Sequence, residues 1–137
     1  MRKIRTPLIA ILLIAILSMT SVTAFASDSA INPRLSHANN ANFSFSATAN
    51  GGYFDVTYLG YDSFVRADLT VTVEKSFLLF WWNEVDTWSG SCTDLRGEFY
   101  DTIPLNGSGT YRASFTLKIT GNDGTIDTIT HEIKDNY

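Results

Sequence analysis

Asp94, Glu98 and Asp101 fall close together in this 137-residue chain. Two carboxylates held across a cleft are the equipment of glycoside hydrolysis. A chain this short offers little material for such a cleft, so the grouping alone does not make an enzyme. The two histidines, His37 and His131, lie far apart and lack the HxxxH or CxxC spacing that holds a metal. Both are expected at the surface. Asn122, Asp123 and Asp127 could offer oxygens to calcium, which takes about six to eight of them, but Asn-Asp-Gly is also ordinary turn chemistry. Cys92 is the single cysteine, so no internal disulfide can form, and a half-buried place on a strand suits it. No GxSxG elbow or phosphate-cradling loop occurs. Catalytic residues, metals and cofactors are therefore not expected.

The stretch with the most unusual chemistry is Phe77-Leu78-Leu79-Phe80-Trp81-Trp82, with Trp88 close behind. Six large apolar residues in a row break the alternation seen elsewhere. As a strand they would be greasy on both faces, and as a hairpin tip they would stand in water. Tryptophan suits interfaces because its ring buries area while its N–H keeps a polar contact. Phe80, Trp81, Trp82 and Trp88 are thus the candidate binding contacts. They suit a partner protein, a second copy of the chain, an interfacial membrane anchor or a platform for sugar rings. The structural alternative is a hairpin folded over one end of the core, since small domains need every apolar residue they have. Acidic neighbours oppose anionic lipid, which places membrane contact behind a protein partner.

The elements that must position these residues are strands. Turn residues recur at short intervals and period-two patterning dominates, with no convincing amphipathic helix. Phe43, Phe45 and Ala47 alternate with polar residues, and Asn50-Gly51-Gly52 signals a turn into Phe54, Val56 and Tyr58. Leu69 to Glu74 is the clearest strand, with Leu69, Val71 and Val73 inward. Trp82 to Ser89 follows, then a loop from Gly90-Ser91 to Gly97. Phe99 to Leu105 carries Pro104, which marks an edge or a strand end. Tyr111 to Ile119 reads as a central strand, and Gly121-Asn122-Asp123-Gly124 turns the chain into a last strand ending near Ile133.

Residues 1–26 read as an export signal: MRKIRTP, then LIAILLIAIL, then a polar stretch ending Ala24-Phe25-Ala26. The apolar run is short of the roughly 20 residues that span a bilayer. Cleavage after Ala26 leaves a polar lead-in over 27–41 and one domain over 42–137, secreted from the cell. Seven basic side chains then remain against fourteen acidic ones, a net charge of −7. Such a field repels phosphate backbones, so nucleic acid is not an expected partner.

Ser108-Gly109-Thr110-Tyr111-Arg112-Ala113 resembles the start of strand F in immunoglobulin-like domains. There a tyrosine two residues before the second core cysteine bonds back to the preceding corner. Ala113 stands in that cysteine's place, which implies the sandwich without its disulfide. INPR near the mature start, LTVTVEK, WWNEVDTWSGS and SGTYRASFTLKITGNDG together resemble a family of short secreted proteins of Gram-positive, clostridial-type bacteria. That resemblance covers nearly all of the mature segment. It implies an exported, non-enzymatic β-protein and carries no binding residues to transfer.

The expectation is an all-β, antiparallel two-sheet sandwich, immunoglobulin-like, of about seven strands. Its expected function is that of a secreted, non-enzymatic binding or interaction module using the aromatic hairpin. The alternative is a secreted antagonist, either a bacteriocin or a membrane-active toxin.

Overall fold

A computed structural model describes residues 35–78 and 80–137. Residues 1–26, read above as an export signal, and residues 27–34 of the expected lead-in lie outside the described residues. Seven strands follow one another: β1 (Ala38–Thr48), β2 (Gly51–Gly60), β3 (Phe64–Phe77), β4 (Trp81–Cys92), β5 (Arg96–Ile103), β6 (Thr110–Gly121) and β7 (Ile126–Asn136). All pairings are antiparallel, in one sheet ordered β1-β2-β5 and another ordered β4-β3-β6-β7. This is the antiparallel two-sheet sandwich expected from the alternation, with the immunoglobulin-like pattern that the Tyr111 segment implied. The constant-type immunoglobulin domain puts its fourth strand beside the fifth. Here β4 pairs instead with β3, giving a three-plus-four division.

The pleat explains why these residues form these strands. Successive side chains point to opposite faces, and β6 buries every second one: Tyr111, Ala113, Phe115, Leu117 and Ile119. Leu69, Val71 and Val73 of β3 meet them from the same sheet, and Phe54, Val56 and Phe99 from the facing one. Each Val, Leu, Ile or Phe among them contributes about 1.5–3 kcal/mol through burial. Pro104 lies just past the end of β5, where no ladder N–H is needed. The turn Gly121 to Gly124 leads into β7, which runs on to Asn136, three residues beyond Ile133.

Two expectations need correction. β1 begins at Ala38, inside the stretch read as a polar lead-in, and His37 and Ala38 are buried. The polarity of the segment misled because Asn39, Asn40 and Asn42 all face solvent. What docks it is Asp127, whose Oδ2 accepts the backbone N–H of His37 (2.6 Å) and of Ala38 (3.2 Å). His37, expected at the surface, is 4% exposed. Its ring nitrogens bond Ser63 Oγ (2.7 Å) and Thr125 Oγ1 (2.5 Å), which ties the β2–β3 and β6–β7 turns together. Second, Gly90 and Ser91 belong to β4 rather than to a loop. Gly90 is needed there because the Trp88 ring lies across it, and any Cβ would overlap the indole.

Tyr111 performs the corner role inferred from its position. It is fully buried and its hydroxyl donates to the Gly107 carbonyl at 2.6 Å, while its ring stacks on Tyr137. Tyr111→Phe keeps the ring and strands that carbonyl, so a loss of about 1–3 kcal/mol is expected from urea unfolding. An unchanged midpoint would mean that the corner bond contributes nothing.

Candidate functional site

The aromatic run forms the tip of the β3–β4 hairpin. Phe77 pairs with Trp81 and Ser76 with Trp82, whereas the last rung between β3 and β6 is Lys75 with Tyr111. The hairpin therefore overhangs the end of its sheet. Phe77 is 54% exposed, Leu78 69%, Phe80 85% and Trp81 68%. The folded-over arrangement is thus not adopted, and these side chains stand in water. The turn is tight: the Phe80 N–H donates to the Leu78 carbonyl at 2.8 Å. Leu78 holds φ of 50°, a left-handed conformation that costs a Cβ-bearing residue about 1–2 kcal/mol.

The four residues proposed as contacts do not form one surface. Phe80 and Trp81 share the exposed tip with Phe77 and Leu78. Trp82 sits one rung below, half-buried on the outer face of the four-stranded sheet. The Arg112 guanidinium lies 4.3 Å from its ring centroid and the Lys134 ammonium 5.5 Å. Arg112 is itself held by Glu74 at 2.6 Å and faces Glu132 at 3.7 Å.

Trp88, half-buried, turns the other way, toward the facing sheet. Its ring meets Phe54 edge-on at 5.0 Å and Phe99 at 6.0 Å, and its Nε1 donates to Asp101 Oδ2 at 2.8 Å. It closes the sandwich between β4 and β5, two edge strands that share no ladder. On the opposite side the Ala47 N–H donates to Asp135 Oδ2 at 2.9 Å, joining β1 to β7. That bond holds the Asp135 carboxyl below the usual carboxylate range.

The grouped carboxylates disperse in the fold. Asp101 faces Trp88, Glu98 points outward toward Asp55, and Asp94 lies in the β4–β5 turn, where its backbone carbonyl accepts the Tyr58 hydroxyl. Glu98 and Asp101 stand three residues apart on β5, an odd spacing that sends them to opposite faces. Glu98 takes up a proton more readily than usual because it hydrogen-bonds the Asp55 carboxylate beside it. Both border an open groove of about 850 Å³ on the outer face of the three-stranded sheet, with Tyr53 and Tyr100. Of the three calcium candidates, Asp123 bonds Thr125 and stands 3.4 Å from His37, and Asp127 docks β1, so these two serve the fold. Among the described residues no three His, Cys, Asp or Glu side chains are placed to hold a metal. Cys92 is half-buried on β4 with its thiol 3.7 Å from Asp94 Oδ2.

Comparison with protein-family profiles, with curated proteins and with solved structures finds no match to this chain.

Proposed function

We propose that this chain is a secreted, non-enzymatic binding module whose contact surface is the β3–β4 hairpin tip. One observation carries the reading: Phe77, Leu78, Phe80 and Trp81 lie exposed side by side on a projecting turn. The core is complete without them, because every second residue of β3 and β6 already fills it. A strained turn that presents large apolar side chains to water costs stability in the isolated molecule, and an apolar partner repays that cost. Trp82 supports the base of the hairpin and Trp88 supports the core. The leader read over residues 1–26 places the module outside the cell.

The double substitution Phe80→Ser with Trp81→Ser tests this. Unfolding free energy is expected to change by less than about 0.5 kcal/mol, as for other exposed sites. Association that depends on the tip, followed by light scattering, is expected to be lost. Unfolding of the variant would instead assign both rings to the core and end the proposal. A secreted antagonist acting on membranes would use the same tip but would also release dye from vesicles.

A further inference from the structure

We propose that the hairpin tip docks into the interfacial layer of a phospholipid bilayer, lying in the surface without spanning it; this rests on the tip being the contact surface. The first argument is area. A stable protein–protein contact buries about 800 Å² on each partner. Four side chains exposed to the extent seen here present roughly 600 Å² at most. The strand that flanks them turns polar at once, with Asn83, Glu84 and Asp86 exposed. A convex finger of this size finds too little flat surface for a partner of its own kind, whereas a fluid bilayer needs no matching shape.

Depth is the second argument. Two described residues on each side, Phe77 and Leu78 and then Phe80 and Trp81, lie beyond the Trp82 rung, roughly 7 Å at the strand rise of about 3.3 Å per residue. Amphipathic elements that lie in the interface bury their apolar face to about 5–10 Å.

The third is the order of chemistry along the hairpin. Apolar side chains occupy the end. Trp82 follows at its base, under the cations of Arg112 and Lys134. An aromatic ring with cationic partners one rung behind an apolar tip is suited to the headgroup level. Glu74 and Glu132 pair with these cations and Glu84 lies beside them, so the base carries no strong positive field. The acidity that opposes anionic lipid leaves zwitterionic lipid as the surface that the tip enters.

The test uses the chain from Ser27 onward, since residues 35–137 close their own core. It is mixed with vesicles of phosphatidylcholine alone, and of phosphatidylcholine with phosphatidylglycerol. Flotation with phosphatidylcholine vesicles and a blue shift of tryptophan emission are expected, with no dye leakage. Phe80→Ser with Trp81→Ser is expected to weaken partitioning by about a hundredfold or more. Phosphatidylglycerol should weaken binding, and added salt should restore it. Absence of flotation with phosphatidylcholine overturns the inference. If the wild type then still associates with itself, and the double variant does not, the tip serves a protein contact and the binding-module reading stands. If wild type and variant behave alike in both measurements, both readings fall. Dye release would replace interfacial docking by permeabilisation.

Discussion

Trp88→Ala is expected to lower the unfolding free energy by about 3–5 kcal/mol, the range for removing a large aromatic side chain from a packed site. The indole fills the seam between β4 and β5, where it touches Phe54 and Phe99 and bonds Asp101. Truncation removes two ring–ring contacts, leaves a cavity where two unpaired edge strands meet, and strips Asp101 of a donor. Domains of this size are stable by only about 5–15 kcal/mol, so the loss is a large share of the whole. Urea unfolding followed by circular dichroism is the measurement, because the substitution removes one of the three tryptophan emitters. Trp88→Phe should recover part of the loss by restoring a ring without the N–H. A Trp88→Ala protein as stable as the wild type would mean that the seam is not closed by this residue. The contrast with Trp81, seven positions earlier in the same strand, is the sharpest test of the hairpin description.

Gly121→Ala comes next in expected effect. The His37 imidazole lies against the Gly121 backbone, and a methyl group built there falls well inside 3.0 Å of the ring. The ring has no room to retreat, being held by Ser63 on one nitrogen and Thr125 on the other. Alanine must therefore displace a buried histidine and break both bonds, at a cost of about 2–4 kcal/mol. Removing the obstacle should remove most of the penalty. In a His37→Ala background the same glycine substitution is expected to cost less than about 1 kcal/mol, a coupling that a double-mutant cycle reads directly. Strict additivity of the two changes would show that ring and glycine do not meet.

The fold was largely legible because strand formation leaves a local trace. Tyr111 to Ile119 alternates without interruption, and the buried and solvent-facing residues of β6 follow that alternation. The Tyr111 corner could be inferred from six residues, since the hydroxyl reaches a carbonyl only four positions upstream. Gly90 was harder. A glycine after a serine reads as a turn, and nothing nearby in the chain says that an indole crosses it. His37 was hidden for a related reason: its partners Ser63, Asp123 and Thr125 lie far along the chain.

The amino-acid sequence by itself determined the all-β class, the number and rough placement of the strands, and the presence of one anomalous apolar run. Alternation and turn residues act over neighbouring positions, so they can be read without knowing the fold. Tertiary structure alone decided which tryptophan does what. Val73 pairs with Asp86 but Glu74 pairs with Glu84, leaving Val85 as an extra residue in β4. Trp82 and Trp88 are an even number of positions apart and would share a face on a regular strand. The single bulge reverses the parity between them, turning Trp88 into the core and Trp82 outward. Pairing register is settled by contacts between distant strands, which is why the aromatic run was visible in the sequence while its exposure was not.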